Sequence, residues 1–368
     1  MKERLGNYIQ EYSVRNKNGE DIPVYSVTNT QGFCKDYFGK EVASKDKTTY
    51  KIVPRGCFAY NPSRINVGSV DYQRYEDKVI VSPLYNVFTV SDNLDKQYLY
   101  YYLKSGVALQ RIRNVASGSV RDNLKLSMLY EFPINVRDIE EQRSIVYKLD
   151  QIRNIIDLRQ KELEQLDELV KARFVELFGD YDLSHVQDDW KPIFEIGQVV
   201  GGATPKTNVD EFWDGEYRWI TPAELQADNG YIYDSVRKLT KAGVESCSLQ
   251  EMPIGTVILS SRAPIGKVAI AGNTFYCNQG FKNIICNKEI LPRYLYTVLL
   301  LNTDYLNSLG RGATFKEISK SIVENIKVPV PSIDLQNEFA NFVKQVDKSK
   351  FVGAICIDKI QSIKGELL

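Results

Sequence analysis

Two long stretches of the chain place apolar residues at alternating spacings of three and four, which predicts amphipathic helices. The first covers residues 138–180 and reaches the glycine stop at Gly179, and the second covers residues 332–368. Because each helix has one apolar stripe, we predict that the two pack antiparallel as a coiled coil. The predicted interface consists of Leu149, Ile152, Ile156, Leu163, Leu166, Val170, Val343, Val346, Ile357 and Ile360.

The regions between these helices have a mixed pattern. Short β-rich runs at 51–53 and 256–259 lie between glycine and proline turns. Helical stretches follow at 95–113 and 291–309. Each region is therefore predicted to be a globular α+β unit.

The chain contains an internal repeat with a period of about 195 residues. Segments 63–68 and 261–266 share the pattern Ser-Arg-x-x-(Val/Ile)-Gly, and segments 98–103 and 294–299 both begin Tyr-Leu-Tyr. An offset of 194 then pairs Leu124 with Ile318, Val136 with Val330, Ile139 with Ile333 and Gln142 with Gln336. The chain is thus predicted to be two copies of one unit, each a globular region followed by a helix.

The composition is that of a globular protein, with 43% hydrophobic and 26% charged residues among 368. No apolar run approaches the roughly 20 residues that span a bilayer, and the N-terminus has no apolar signal region, so we expect a cytoplasmic protein with no membrane partner. Six cysteines are scattered without a Cys-x-x-Cys pair, and His185 is the only histidine. This pattern predicts free thiols and no zinc site.

The net charge is zero, but the basic residues are unevenly distributed. Residues 1–137 carry 20 basic side chains against 14 acidic ones, and residues 262–320 carry eight against three. A local excess of positive charge in both halves suits contact with phosphates, although a charged face is also the ordinary solvated surface of a protein.

A cluster of motifs opens the second copy. Residues 201–206 read Gly-Gly-Ala-Thr-Pro-Lys, residues 212–215 read Phe-Trp-Asp-Gly, and residues 219–225 read Trp-Ile-Thr-Pro-Ala-Glu-Leu. Together with Asn-Gln-Gly-Phe-Lys at 278–282, these motifs resemble the specificity subunits of Type I restriction-modification enzymes. The resemblance covers nearly the whole chain, but the first copy lacks the Gly-Gly-x-Thr-Pro opening, which weakens residue-level transfer onto it.

The resemblance implies an α+β fold in which two pseudo-symmetric target-recognition domains, at 1–137 and 181–331, are separated by the two helices packed as an antiparallel coiled coil. It implies a non-catalytic subunit that reads a bipartite site on double-stranded DNA. The helices would set the spacing and dock methyltransferase subunits, normally two, and through them the restriction subunits. S-adenosylmethionine, ATP and magnesium would belong to those partners, so we expect no directly bound cofactor, no catalytic residue and no metal ligand in this chain.

Arginine can read guanine or grip phosphate, and Asn and Gln can pair with adenine. The alternatives to DNA contact also stay open: the arginines can stabilise their loops, and the polar residues can form turns or ordinary loop structure. Arg64 and Arg262 occupy equivalent places before a glycine turn. The predicted DNA contacts are Asn61, Arg64, Tyr85, Asn86 and Arg121 in the first copy, and Thr204, Lys206, Arg262, Gln279, Lys282, Arg311 and Lys316 in the second.

Two other classes of function compete with this interpretation. An enzyme acting alone is disfavoured, because Asn-Pro-Ser-Arg at 61–64 lacks the second proline and the aromatic residue of an amino-methyltransferase motif, and no carboxylate cluster suits Mg²⁺. A protein-only coiled-coil adaptor fits the repeat and the helices equally well. The recognition-domain motifs weigh against it.

Overall fold

The computed structural model describes residues 2–35, 46–116, 123–225, 230–247, 249–262, 264–312 and 316–366. By its contacts the chain divides into two compact units: residues 1–161 with 354–368, and residues 162–353. This division passes through both long helices, whereas the domain boundaries predicted from the sequence separate the helices from the globular regions. Those predicted boundaries remain a prediction.

The first unit has a mixed architecture around a four-stranded antiparallel sheet in the order β2-β9-β6-β7, with three two-stranded pairs, β1-β10, β3-β4 and β5-β8. The strands are β1 (Lys2–Arg4), β2 (Ile9–Glu11), β3 (Ser26–Thr28), β4 (Gly32–Cys34), β5 (Lys51–Pro54), β6 (Phe58–Tyr60), β7 (Val70–Tyr72), β8 (Lys78–Val81), β9 (Asn86–Val90) and β10 (Pro133–Asn135). The helices are α1 (Lys96–Leu103), α2 (Gly106–Ala116), α3 (Leu126–Tyr130) and α4 (Ile139–Phe178), of which α4 continues into the second unit.

The second unit combines a five-stranded sheet in the order β12-β19-β16-β17-β14 with a three-stranded sheet in the order β15-β13-β18 and the pair β11-β20. The strands are β11 (Lys191–Pro192), β12 (Gly197–Gly201), β13 (Trp213–Ile220), β14 (Tyr231–Ile232), β15 (Arg237–Leu239), β16 (Val257–Leu259), β17 (Val268–Ala271), β18 (Tyr276–Cys277), β19 (Lys282–Cys286) and β20 (Lys327–Val328). The helices are α5 (Ile193–Ile196), α6 (Lys241–Ser246), α7 (Pro292–Leu301), α8 (Thr303–Ser308), α9 (Lys320–Glu324) and α10 (Ile333–Glu366).

The helical stretches predicted at 95–113 and 291–309 are each divided into two helices, α1 with α2 and α7 with α8. The tyrosines at their starts are buried. The Tyr98 hydroxyl donates to the Asn135 carbonyl at 3.0 Å, and the Tyr294 hydroxyl donates to the Pro329 carbonyl at 3.2 Å. These tyrosines are core residues of their units.

A buried glutamine at the start of each long helix reproduces the repeat in atomic detail. In the first unit, Gln142 accepts from the Asp95 amide at 2.8 Å and donates to the carbonyls of Asn93 and Arg137. In the second unit, Gln336 accepts from the Leu291 amide at 2.7 Å and donates to the carbonyls of Glu289 and Pro331. Both side chains are fully buried. In each copy, two of these bonds attach the long helix to the loop before a core helix, and the third goes to the segment just before the long helix itself.

Each long helix packs against the core of a unit as well as against the other long helix. Leu149, which the sequence placed in the helix–helix interface, is fully buried in the core of the first unit. In the second unit, Val343 joins the main core and Val170 packs against that core. The remaining members of the predicted interface are buried or half-buried: Ile152, Ile156, Leu163, Leu166, Val346, Ile357 and Ile360.

Within the second unit the two helices run antiparallel. A methyl group placed on Gly353 would lie 3.1 Å from Cδ2 of Leu163, so the backbone of α10 passes close to α4 there. Ion pairs follow in the reverse order along the partner helix, with Lys350 at 2.8 Å from Asp167 and Glu338 at 2.6 Å from Arg173.

Replacing Leu166 with aspartate is expected to lower the free energy of unfolding by about 1–3 kcal/mol, because the charge would enter a half-buried position of this helix pair. Thermal melting followed by circular dichroism at the helical band measures the change. Leu169→Asp is the matched control, since Leu169 on the same helix is exposed and should tolerate the charge. Equal melting temperatures of the two variants would contradict the placement of Leu166 between the two helices.

Candidate nucleic-acid interface

Three loops of the second unit meet at one place, and backbone hydrogen bonds hold them together. The Ser261 amide donates to the Gly280 carbonyl at 2.8 Å, and the Ile318 amide donates to the Ser261 carbonyl at 3.0 Å. Arg311 and Glu317 exchange two backbone bonds of 3.1 and 3.0 Å. The loop after β16, the turn before β19 and the loop before α9 thus form one surface, which we call the three-loop surface.

Lys282 lies at the inner edge of the three-loop surface. Its side chain is only 14% exposed, and its ammonium group is 3.1 Å from a Glu317 carboxylate oxygen. It also donates to the Ser261 hydroxyl at 3.3 Å. The charge of Lys282 is therefore already partnered, which favours a structural role in joining the loops over a free contact with a ligand.

The other basic residues predicted on this surface are more available than Lys282 for contact with a ligand. Arg262 is half-buried beside the turn at 278–280, since a methyl group on Gly280 would lie 3.3 Å from its Nε. Arg311 and Lys316 are exposed. Within the described part of the chain, none of these three side chains is paired with a carboxylate. They supply three unneutralised positive charges to the surface.

The predicted polar contacts Thr204 and Gln279 also come together. The Thr204 hydroxyl donates to the Gln279 side-chain carbonyl at 2.6 Å, and both residues are exposed. Lys206 is exposed two residues further on, and its backbone carbonyl accepts from the Trp213 indole at 3.2 Å. The structure thus places six of the seven predicted residues around the three-loop surface and its Thr204–Gln279 edge, with Lys206 beside that edge.

In the first unit, the turn that carries Asn61 and Arg64 is well defined. The Asn61 side chain accepts from the Ser63 amide at 3.1 Å and the Ser63 hydroxyl at 2.9 Å, which is turn-forming chemistry. Arg64 is exposed and precedes a turn that ends at Gly68 with a φ of 88°, close to the 87° of Gly266. Both arginine turns therefore end in a left-handed residue, a conformation that favours glycine.

Of the other predicted contacts of the first unit, Tyr85 is buried and Asn86 is half-buried. Tyr85 is only 8% exposed, and its hydroxyl accepts from the Val27 amide at 3.3 Å, so it lies in the core and not on an accessible surface. Asn86 is half-buried, lies opposite Tyr60 in the β6–β9 pair and donates to the Tyr60 hydroxyl at 2.9 Å. Arg121 lies outside the described residues.

Sequence reasoning missed one group in the second unit. The guanidinium carbon of Arg237 lies 3.4 Å from the centre of the Trp213 ring and 5.7 Å from that of Trp219. Both tryptophans belong to quoted motifs, but the arginine lies 18 residues beyond the second, outside any motif. The only indication in the sequence was the presence of two tryptophans, Trp213 and Trp219, six residues apart in one predicted recognition domain.

The described residues contain no group of three or more His, Cys, Asp or Glu side chains arranged to hold a metal ion. The cysteines are free thiols. Burial raises the pKa of Cys277 and of Cys286 to about 12, so both thiols are protonated and unreactive at neutral pH. None of the helices in the described ranges is both long and apolar enough to cross a bilayer.

Comparison with known proteins gives one family. The model of the Type I restriction modification DNA specificity domain matches residues 5–168 and again residues 187–352. The MjaIX specificity subunit of Methanocaldococcus jannaschii is 40% identical over 185 residues, which are 49% of this chain and 43% of that protein. The EcoR124I/EcoR124II specificity subunit of Escherichia coli is 28% identical over 166 residues, 43% of this chain and 41% of that protein. The matched parts span less than half of either relative.

Solved structures support the same fold. A chain from a study of assembly and conformational transition in a type I restriction-modification system superposes with a TM-score of 0.65 at 16% identity, covering 100% of this chain and 96% of that one. The S subunit from M. genitalium superposes with a TM-score of 0.54 at 16% identity, covering 100% and 94%. The α+β fold with long paired helices is confirmed, and the chain belongs to the family of Type I restriction modification DNA specificity domains, with one copy of the domain in each half.

Proposed function

We propose that this chain is the DNA-recognition subunit of a Type I restriction-modification enzyme and that its two copies of the domain read the two halves of a bipartite target. The observation that carries the proposal is the duplication of the specificity domain. The three-loop surface supports it, because Arg262, Arg311 and Lys316 offer unneutralised positive charge where phosphates or base edges can bind.

The partners follow from this role. Two methyltransferase subunits dock on the long helices, and restriction subunits join through them. Adenine methylation and ATP-driven cleavage then take place in those partners, which bind S-adenosylmethionine, ATP and magnesium. This chain supplies the choice of sequence and the distance between the half-sites, and it works in the cytoplasm, where the DNA is.

The direct test is a genome-wide map of methylated adenine in the source strain with and without this gene. Loss of one motif with two defined half-sites around a fixed unread gap would support the proposal and reveal the target. Unchanged methylation, together with binding of the assembled complex to DNA that does not weaken as salt rises, would contradict it and favour the protein-only adaptor, which releases no counterions.

Replacing Arg262 with alanine is expected to weaken DNA binding of the assembled complex by about 10-fold, because an unneutralised cation leaves the three-loop surface. If the contact is to phosphate, the slope of log affinity against log salt falls by about one. Fluorescence anisotropy with target DNA at several salt concentrations measures both quantities.

The matched control is Lys288→Ala, which removes one exposed positive charge from the loop after β19, away from the three-loop surface. It should bind DNA as the unaltered complex does. Co-purification of the methyltransferase subunits should be intact in both variants. An Arg262→Ala complex with unchanged affinity at moderate salt would remove Arg262 from the interface.

A further inference from the structure

The motifs that open the second copy build a platform of two tryptophans. The Trp213 indole donates to the Lys206 carbonyl at 3.2 Å, and the Trp219 indole donates to the Ala203 carbonyl at 3.1 Å. The rings meet edge to face, with centres 5.2 Å apart at 80°. Gly202 permits this arrangement, since a methyl group there would lie 2.0 Å from the Cys277 carbonyl oxygen. The Gly-Gly-Ala-Thr-Pro-Lys segment thus fixes the orientation of both indoles.

The platform holds one side chain, that of Arg237. Arg237 lies opposite Trp219 in the β13–β15 pair, and its guanidinium group is 3.4 Å from the centre of the Trp213 ring. A guanidinium that lies on an aromatic ring is restricted to one plane while its outer nitrogen atoms stay free to donate. Arg237 is therefore ordered before any ligand arrives.

The loop before Arg237 is fixed by the third motif. Glu224 closes a capping box with Thr221 and accepts from the Val236 amide at 2.8 Å with its other oxygen. The Ser235 hydroxyl accepts from the Trp219 amide at 3.1 Å and donates to the Arg237 carbonyl at 2.7 Å. As a result Val236, at 86% exposure, and Arg237 are presented to solvent from a rigid backbone.

Beyond the two indole rings, the charge of Arg237 has no carboxylate partner in the described part of the protein. The nearby carboxylate of Asp234 is occupied by Arg218 at 3.1 Å and Lys238 at 3.5 Å. Arg237 is exposed, and no described carboxylate forms an ion pair with it. An arginine that only stabilised the fold would be expected to use its donors, whereas this one keeps them free beside two further cations.

We propose that Arg237 is a DNA contact of the second copy, and that the three motifs serve to orient it. The ligand is a planar pair of acceptors, as on the O6/N7 edge of guanine or on a backbone phosphate. The inference rests on the proposed DNA-recognition function and adds a contact outside the three-loop surface. It also explains why the motifs themselves point inward: they bond to one another and present a residue that lies beyond them.

The test uses the complete chain assembled with its methyltransferase subunits. Arg237→Gln is expected to lower affinity for target DNA by about 10- to 100-fold. Arg237→Lys should also lose affinity, because an ammonium group has no planar fork. Arg55→Gln is the control. It also removes an exposed arginine, but Arg55 lies in the first unit and is already paired with Asp77 at 3.4 Å, so DNA affinity should stay unchanged. Removing the exposed Arg237 from the Trp213 ring should lower the melting temperature only slightly, and affinities are compared below that temperature.

The outcomes distinguish a base contact from a phosphate contact, and a failure of the Arg237 inference from a failure of the proposed function. Relaxed methylation at one guanine of one half-site identifies a base contact, and equal weakening on all sequences with a salt slope reduced by about one identifies a phosphate contact. Salt-dependent DNA binding by the unaltered complex with no loss in Arg237→Gln would overturn this inference alone. Absence of salt-dependent binding in the unaltered complex would overturn the proposed function instead.

Discussion

Replacing Gln336 with leucine is expected to lower the free energy of unfolding of the second unit by about 2–4 kcal/mol. The leucine fills a similar volume but leaves the Leu291 amide and the carbonyls of Glu289 and Pro331 without their partner. Unpaired buried polar groups cost about 1–3 kcal/mol each, and partial hydration of the half-buried loop reduces the sum. Urea denaturation gives the free energy, and hydrogen exchange at the start of α7 shows where protection is lost.

The repeat supplies its own controls. Gln142→Leu should destabilise the first unit by a similar amount, because Gln142 makes the equivalent three bonds. Gln345→Leu on the same helix as Gln336 should change stability by less than about 0.5 kcal/mol, since Gln345 is exposed. Loss of protection in α7 with Gln345→Leu as large as with Gln336→Leu would show that the three bonds do not carry the effect.

The pairing of these glutamines illustrates what the sequence can predict about this fold. An internal repeat and a stripe of apolar residues are properties of spacing, so the sequence alone predicts two copies, two long helices and the equivalence of Gln142 with Gln336. The same spacing could not distinguish which partner buries a stripe. Leu149 satisfies the helical period equally well whether it faces another helix or the globular core, and the structure places it in the core.

For the candidate site, residue type alone does not predict which side chains are available for DNA, because that depends on their hydrogen bonds and ion pairs. Tyr85 and Lys282 have the chemistry of DNA contacts, but the first hydrogen-bonds inside the core and the second is paired with Glu317. Arg237 has no motif around it, and its placement depends on contacts with two indoles and on a carboxylate that lie up to 24 residues earlier in the chain. Such pairings are set by tertiary packing, which a single sequence does not reveal.

Replacing Phe174 with alanine is expected to destabilise the second unit by about 3–5 kcal/mol, the usual cost of deleting a buried aromatic ring. Phe174 is 1% exposed at the end of α4, and its ring centre is 4.9 Å from that of Phe178, 5.3 Å from that of Phe339 and 5.7 Å from that of Tyr294. This aromatic cluster joins both long helices to α7. Val175→Ala, one residue away and facing solvent, is the matched control.

Under the proposed function, the aromatic cluster also connects stability to recognition. If α4 sets the distance between half-sites, its attachment to α7 through Phe174 must be rigid, because a loose attachment would accept targets with different gaps. We therefore expect Phe174→Ala, assembled with its partners below its melting temperature, to lose part of the preference for the native gap over a gap one base pair longer. Affinities for the two targets measure that ratio. A variant that melts earlier but keeps the full ratio would mean that spacing is controlled by contacts other than this aromatic cluster.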